Sequence, residues 1–206
     1  MTDDGRLFAA ATERNREPIL AVLERVLPSE GAVLEIGSGT GQHAVFLAPR
    51  LKPRLWQPSD PDPRSRVSIV AWQTHSPSDN LLPPLELDAC TPVWPMEETG
   101  ELPIVAIASI NMIHIAPWQA CLGLIAGAGR ILPVGGILYL YGPFKQAEHP
   151  TAPSNQAFDE MLRARDPSWG IRDLSEVIQT ANEHQLLLLE TVPMPANNLS
   201  VIFQHR

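Results

Sequence analysis

Residues 103–110, with the sequence PIVAIASI, form a continuous apolar run rich in β-branched side chains. A run of this kind is typical of a strand buried on both faces, as central strands are when helices cover both sides of a parallel sheet. Further strand-length apolar segments alternate along the chain with segments of helical spacing. These further predicted strands are residues 32–36, 53–60, 83–89, 135–142, 186–194 and 199–206.

Amphipathic segments separate the predicted strands. In residues 15–28, apolar side chains recur at helical spacing, with Pro18 near the predicted start and Pro28 at the end. Asp173 and Glu176 occupy the N-cap and third positions of a capping box that opens another helix. Helices that alternate with apolar strands predict a three-layer, doubly wound α/β fold with a mostly parallel sheet. The remaining predicted helices are residues 40–50, 63–73 and 117–132.

The length of 206 residues suits one domain with a sizeable core. The chain contains neither an internal repeat nor a linker that would divide it, so we predict a single domain over residues 1–206. Residues 143–170 interrupt the alternation of strands and helices. We interpret them as a loop-rich insertion that covers the functional site.

The composition disfavours several classes of protein. The formal net charge of -8 argues against nonspecific nucleic-acid binding, which depends on basic patches. Cys90 and Cys121 do not form a CxxC motif, so neither a zinc site nor a disulfide framework is expected, and we predict no metal site. Apolar stretches stay below the ~18 residues that span a membrane, and the first residues, MTDDGR, are unlike a signal peptide. We therefore predict a cytoplasmic protein without membrane or nucleic-acid partners, and the sequence gives no indication of its oligomeric state.

A glycine-rich turn follows the first predicted strand, in the segment VLEIGSGTGQHA at residues 33–44. Its glycines allow positive φ and a close approach of the backbone to a ligand, so we expect Gly37, Ser38, Gly39 and Gly41 to contact one. The spacing is G-x-G-x-G, whereas the dinucleotide fingerprint is G-x-G-x-x-G/A. A degenerate dinucleotide turn remains an alternative at this point.

Acidic side chains lie at or near the ends of three predicted strands: Glu35 in the first, Asp60 after the second, and Asp88 with Ala89 after the third. The carboxyl ends of the strands form the ligand-binding edge of a doubly wound sheet. Acids there suit a cationic ligand without phosphate, such as S-adenosylmethionine, with Asp60 on the ribose hydroxyls and Asp88 on the adenine amino group. Local capping of the backbone is the alternative role for each acid.

Several ordered strings extend over nearly the whole chain: ERNREPIL, LEIGSGTGQHA, WQPSD, NMIHIAPW, LYGPF, SNQAFD, WGIRD and MPANNL. With these strings the chain resembles the methyltransferase-like 26 group of the Rossmann-like class I S-adenosylmethionine-dependent methyltransferases. The resemblance implies a seven-stranded sheet that ends in an antiparallel hairpin. It also implies S-adenosylmethionine as the cofactor, with S-adenosylhomocysteine as its product, but it supplies no substrate.

Methyl transfer from a sulfonium is an in-line displacement, for which the protein mainly supplies alignment. The string NMIHIAPW directly follows residues 103–110 and therefore lies at the ligand edge. We predict that Asn111 contacts the cofactor or the substrate. His114 is a candidate general base, with stabilisation of its own loop as the alternative. Tyr141, at the end of the fifth predicted strand, is expected near the methyl group, where it would orient the acceptor.

Further candidates lie outside the strand ends. Arg14 and Asn15, placed just before the first helix, are expected to fold over the cofactor or the substrate, with a salt bridge or an N-cap as the alternative. Other polar residues lie in or beside residues 143–170, or in the turn between the last two strands, and are candidate substrate contacts with local capping as the alternative. These are Asn155, Asp159, Trp169, Arg172, Asn197 and Asn198.

The sequence thus predicts a methyltransferase that acts on a small molecule held under residues 143–170. A second hypothesis keeps the cofactor and drops the reaction, which would make the chain a regulatory or interaction protein that binds S-adenosylmethionine. A third, a nucleotide-dependent oxidoreductase, is disfavoured by the glycine spacing and by Glu35. The acceptor and its reacting atom are not predicted.

Overall fold

The computed structural model describes residues 4–100 and 102–206. Its helices are α1 (Ala10–Val26), α2 (Gln42–Leu47), α3 (Pro63–His75), α4 (Pro95–Thr99), α5 (Trp118–Ile131), α6 (Pro153–Arg165) and α7 (Leu174–Glu183). Its strands are β1 (Ala32–Ile36), β2 (Leu55–Ser59), β3 (Ile104–Ile110), β4 (Ile137–Gly142), β5 (Phe144–Lys145), β6 (Arg172–Asp173), β7 (Leu186–Met194) and β8 (Asn198–His205).

The main sheet has the strand order β2-β1-β3-β4-β8-β7. β2, β1, β3 and β4 pair in parallel, whereas β8 runs antiparallel to both β4 and β7. The predicted α/β fold, with its mostly parallel sheet and C-terminal antiparallel hairpin, is therefore confirmed. Because the chain winds outward from β1 to β2 and then returns to β3 on the other side of β1, the winding direction switches between β1 and β3. Ligands of such sheets bind at this switch, beyond the carboxyl ends of the strands.

The regular sheet contains six strands, so the prediction of seven was wrong in one place. Residues 83–89 run beside β2 but pair with it in a single isolated bridge, between Ser59 and Leu85. Pro83 and Pro84 explain the difference, since proline has no backbone N–H to donate to a ladder. The segment therefore covers the edge of β2 without forming a regular strand.

Helices pack on both faces of the sheet, and alternate residues of a strand enter different cores. Leu34 of β1 joins the cluster formed with α5 and α7, while Val33 joins the cluster formed with α1 and α2. This alternation is the period of two expected of a strand. Since both faces are apolar, the predicted three-layer arrangement is confirmed, and the polar groups of the central strands collect at their ends.

Helix α1 begins earlier than the sequence indicated. It starts at Ala10, so Pro18 lies inside the helix and Arg14 and Asn15 belong to it, and the expectation that these two residues precede the first helix was wrong. Residues 10–17 are mostly good helix formers, which allows the helix to extend upstream of the proline. A hydrogen bond of 2.6 Å from the Ala9 N–H to Gln42 Oε1 holds this end of the helix beside α2.

Residues 143–170 contain more regular structure than expected. Helix α6 fills the middle of the segment, with Pro153 in its first turn, where the missing N–H is tolerated. Helix α7 begins as predicted, because the Asp173 carboxylate accepts the Ser175 N–H at 2.8 Å and caps the helix. Within the described ranges, no helix is both long and apolar enough to cross a membrane.

Candidate functional site

The glycine loop forms the turn between β1 and α2, at the switch point of the sheet. Gly37, Gly39 and Gly41 have φ of 72°, 55° and 85°, a region that favours glycine. A Cβ on Gly37 would lie 2.6 Å from Met112 Cγ, and one on Gly41 would lie 2.8 Å from Ile69 Cα. A Cβ on Gly39 would have nothing within 4 Å. Packing therefore requires the outer glycines, while Gly39 faces open space that a ligand can enter.

Asp60 follows β2 and lies against the glycine loop. Its Oδ2 accepts the Gly39 N–H at 2.8 Å and its Oδ1 accepts the Asp62 N–H at 2.9 Å, while the residue is 7% exposed. Ser38 donates its N–H to the Ser59 carbonyl at 2.9 Å, which fixes the loop to the end of β2. The N–H that a phosphate would use is thus directed at a carboxylate. The negative charge of this carboxylate and the N–H group that is already paired with it both favour a ligand with hydroxyls or positive charge over a diphosphate.

Glu35 lies in the core beneath the glycine loop and does not border the open space beside Gly39. The residue is 2% exposed, and its Oε2 accepts the indole N–H of Trp56 at 2.9 Å. Burial raises the pKa of Glu35 from 4.5 to about 7, against the lowering effect of the hydrogen bonds from Trp56 and Ser38. The side chain therefore joins the end of β1 to Trp56 near the start of β2, and a direct contact with a ligand would require it to move.

The third acid of the predicted set lies on the surface. Asp88 is exposed, and its Oδ1 accepts the Cys90 N–H at 2.9 Å, which is the local capping that the sequence left open. Ala89 is buried, and its carbonyl packs so closely on Gly123 of α5 that a Cβ there would overlap it. Asp88 and Ala89 thus form a fixed turn in the loop between the bridge to β2 and α4.

A polar cluster connects α1, α2, β4 and β8. Asn15 is 5% exposed, and its Oδ1 lies 2.9 Å from His43 Nε2. Tyr141 is 2% exposed. Burial raises the pKa of its hydroxyl, while the side chains of Asn15 and Asn198 and the Arg14 guanidinium lower it. The structure therefore brings these four predicted residues together.

The sequence reasoning missed His43, the fifth member of the cluster. Burial and the positive charge of Arg16 lower the pKa of His43 to about 4, so its imidazole is neutral at pH 7. The available signal was its position two residues after Gly41, on the first turn of the helix that follows the loop.

Asn111 lies at the other side of the switch, directly after β3. Its φ of 61° is a left-handed conformation that asparagine tolerates better than most residues. Its N–H donates to the Tyr141 carbonyl at 2.7 Å, and its own carbonyl accepts the His114 N–H at 3.1 Å. The residue therefore turns the chain sharply between the ends of β3 and β4, where the sequence predicted a ligand contact.

His114 is completely enclosed. Its Nδ1 faces the Arg172 N–H at 3.4 Å, its ring meets the Phe144 ring edge-on at 5.0 Å, and its Nε2 packs on Gly142. Burial lowers the pKa of His114 to about 3, so the ring stays neutral. A general base must reach its proton, so this geometry favours the alternative that the sequence allowed, a histidine that stabilises its loop.

Three of the candidate substrate residues form a support beneath the loop. The Arg172 guanidinium donates to the carbonyls of Ile113 at 2.9 Å, Ala116 at 2.6 Å and Ser168 at 3.0 Å. Asp159 accepts Lys145 Nζ at 2.7 Å, the Ile171 N–H at 2.7 Å and Arg163 Nε at 3.2 Å. Trp169 is half-buried beneath the Arg165 guanidinium at 5.6 Å. The polar groups of Arg172 and Asp159 therefore connect four parts of the chain: the loop that follows β3, the strands β5 and β6, and helix α6.

The asparagines of the set lie around a cavity of about 280 Å³ between β5, the start of α6 and the β7–β8 turn. Asn155 Nδ2 donates to the Asn197 carbonyl at 2.9 Å, and Asn197 Nδ2 donates to Ser154 Oγ at 3.0 Å. Asn198 borders both this cavity and Tyr141. The cavity therefore shares Asn198 with the polar cluster. In the described part of the chain, histidine, cysteine and acidic side chains nowhere gather in a group of three or more that could hold a metal ion.

Comparison with known proteins supports the fold described above. A family described as "Protein of unknown function (DUF938)" matches residues 6–205. The fold is similar to that of the S-adenosylmethionine-dependent methyltransferase SibL, with a TM-score of 0.75 and 17% identity over 95% of this chain and 56% of that one. It is also similar to human N-acetylserotonin methyltransferase in complex with SAM, with a TM-score of 0.74 and 14% identity over 95% and 52%.

A third similar structure is an O-methyltransferase family 2 protein from Planctomyces limnophilus in complex with apigenin, with a TM-score of 0.72 and 17% identity over 93% of this chain and 62% of that one. This chain therefore spans only about half to three-fifths of the length of these proteins. At these identities the similarity establishes the Rossmann-like methyltransferase fold.

Proposed function

This chain belongs to the DUF938 family, and from that premise we propose that it is an S-adenosylmethionine-dependent methyltransferase acting on a small-molecule acceptor. We also propose that it belongs with the methyltransferase-like 26 group, on the strings that it shares with that group. The observation that carries the proposal is the glycine loop. Gly39 faces open space, and its N–H is held by the carboxylate of Asp60 at 2.8 Å.

The charge of this loop decides between cofactor classes. A dinucleotide turn offers its N–H groups and the positive end of a helix to a pyrophosphate. Here Asp60 occupies the Gly39 N–H, and helix α2 is only six residues long. A diphosphate would have to displace a carboxylate and lie beside its charge, whereas the sulfonium and ammonium of S-adenosylmethionine would be attracted to it.

The residues present fit the cofactor in the following way. The open side of Gly39 admits it, with Gly37, Ser38 and Gly41 shaping the loop. The Asp60 carboxylate would accept hydrogen bonds from the ribose hydroxyls. Asp88 and Ala89 would contact the adenine, and Glu35 would support the loop from the core. Arg14 and Asn15 would hold the amino-acid end, and Asn111 would contact the cofactor from the β3 side.

The acceptor side is proposed to be formed by β4 and the segment that follows it. When bound, the cofactor supplies a methyl group that is already activated, so the protein chiefly has to align the acceptor with it. The Tyr141 hydroxyl, at the end of β4 beside the polar cluster, is proposed to orient the acceptor. We propose that residues 143–170 cover the acceptor, with Asp159, Trp169 and Arg172 holding this cover, and His114 holding the loop beneath it.

Small-molecule acceptors are supported by two observations. The acidic composition disfavours nucleic-acid substrates, and one structural neighbour holds apigenin, a small molecule. We propose that the protein acts in the cytoplasm, because its substrate would be a soluble metabolite.

Methyl transfer in a metabolite extract tests the proposal. Wild-type protein, incubated with the extract and isotope-labelled S-adenosylmethionine, is expected to yield a labelled product together with S-adenosylhomocysteine. Gly39→Arg is expected to yield neither, because its side chain fills the open side of the loop. The same labelled products from both proteins would assign the activity to a contaminant. Cofactor binding without any product would instead support the non-catalytic alternative.

A further inference from the structure

The cavity beside the polar cluster, here called the amide cavity, is lined by residues of β5, the chain before and within α6, and the β7–β8 turn. Phe144 and Met194 supply apolar walls, and Asn155 is 7% exposed. The lining residues are Phe144, Gln146, His149, Pro150, Thr151, Ala152, Asn155, Pro193, Met194, Asn197, Asn198 and Leu199. The cavity therefore combines aromatic and aliphatic surface with several side-chain amides.

The lining contains no aspartate, glutamate, lysine or arginine. Lys145 and Asp159, which form an ion pair at 2.7 Å, both lie outside the lining. A charged ligand group in this cavity would give up part of its hydration, and no aspartate, glutamate, lysine or arginine of the lining would compensate for that cost. Amide side chains, in contrast, can donate and accept hydrogen bonds to uncharged hydroxyl or carbonyl groups. The cavity therefore suits an uncharged ligand.

The wall formed by the β7–β8 turn is strained. Ala196 and Asn197 have φ of 58° and 57°, in the left-handed region that few residues other than glycine adopt. Two hydrogen bonds hold this turn against α6: Asn155 Nδ2 to the Asn197 carbonyl, and Asn197 Nδ2 to Ser154 Oγ. The strained turn therefore sets the position of Asn198, which borders both the cavity and Tyr141.

We propose that the amide cavity is the acceptor site and that the acceptor is a small uncharged molecule, with an apolar or aromatic body and a hydroxyl or amide group. This inference rests on the proposed methyltransferase function. The volume of about 280 Å³ lies just below the usual range of ligand pockets, ~300–1,000 Å³, and limits the acceptor to a small molecule.

In the transfer step, a lone pair of the acceptor forms the bond to the methyl carbon. The electron pair of the carbon–sulfur bond goes to the sulfur, which becomes a neutral thioether, and the proton of the acceptor group leaves to water. Leu199, which lines the cavity, pairs with Gly142 directly after Tyr141, so the reacting group is expected at the end of the cavity beside β4.

Four matched aromatic probes test the inference: phenol and benzamide as uncharged compounds, benzoate as an anion and benzylamine as a cation. Binding is measured by ligand-observed NMR in the presence of S-adenosylhomocysteine. We expect both uncharged probes to bind at least about ten-fold more tightly than either charged probe, a difference of ~1.4 kcal/mol.

Thr151→Lys adds a positive charge to the lining. It is therefore expected to raise the affinity for benzoate relative to phenol by about ten-fold or more.

Thr74→Lys is the matched control, because Thr74 is an exposed residue near the end of α3 and is not part of the amide cavity. It should leave the order of the probes unchanged. The inference is overturned if benzoate or benzylamine binds as tightly as phenol, if no uncharged probe binds, or if Thr151→Lys and Thr74→Lys act alike. Calorimetric titration of the same samples with S-adenosylhomocysteine reports separately on the proposed function. Saturable binding of S-adenosylhomocysteine, together with no binding of the uncharged probes, would refute only the assignment of the amide cavity as the acceptor site.

Discussion

Replacement of Gly39 by arginine is expected to weaken the binding of S-adenosylmethionine and S-adenosylhomocysteine by more than about 100-fold, or ~2.7 kcal/mol. Three effects act in the same direction. The side chain would occupy the space that is open beside Gly39, its charge would repel the sulfonium and ammonium groups, and its guanidinium would pair with the carboxylate of Asp60. Isothermal titration calorimetry measures the loss.

The fold should tolerate this change. A φ of 55° costs a residue other than glycine on the order of 1 kcal/mol, which lowers the Tm of a chain of this size by roughly 2–4 °C. Gly135→Arg is a suitable control, since Gly135 also has positive φ and open space but precedes β4 at the opposite edge of the sheet. It should lower the Tm to a similar extent and leave cofactor binding unchanged. Equal cofactor affinities for the two variants would place the cofactor elsewhere.

Glu35→Gln is expected to change how the stability of the protein depends on pH. The folded-state pKa of Glu35 is raised from 4.5 to about 7, so between these values the folded chain holds a proton that the unfolded chain releases. The free energy of unfolding contributed by this residue therefore falls as the pH rises through this window, by up to about 3 kcal/mol. Glutamine has no such titration. We expect Glu35→Gln to gain about that amount relative to wild type between pH 4.5 and pH 8.

Urea unfolding at a series of pH values measures this difference. His43 and His114, whose pKa values are lowered to about 4 and about 3, act in the opposite direction and destabilise the fold as the pH falls below about 6.5. Both proteins share the histidines, so their difference isolates Glu35. Glu183→Gln, at the exposed end of α7, serves as the control and should follow wild type. A difference in the free energy of unfolding between Glu35→Gln and wild type that stays constant with pH would contradict this expectation. It would mean that Glu35 has the same pKa in the folded and the unfolded chain.

The alternation of apolar and amphipathic segments predicted the α/β fold because local hydrophobic pattern fixes strands and helices. The strand predicted at residues 83–89 does not form as a regular strand, because two prolines remove donors from a ladder that the apolar pattern alone would support. The predicted start of the first helix was too late in the chain, because Pro18 is typical of a first helical turn. Residues 10–17 nevertheless form a helix that is held to α2 through Gln42.

The candidate site was only partly accessible to sequence reasoning. The glycine spacing and the order of acids located the crevice and Asp60, because these features are local to the strand ends. The sequence did not reveal that Glu35 is buried against Trp56, since the two residues meet only through the pairing of β1 with β2. It likewise missed His43, whose partner Asn15 lies 28 positions away. The uncharged lining of the amide cavity also depends on segments that the fold brings together from distant parts of the chain.

The choice between a cationic and a diphosphate cofactor is tested most directly by calorimetric titration of the wild-type protein with S-adenosylmethionine, S-adenosylhomocysteine and NADH. We expect saturable 1:1 binding of both adenosyl compounds and no detectable heat from NADH. Saturable binding of NADH, together with no binding of either adenosyl compound, would contradict the account.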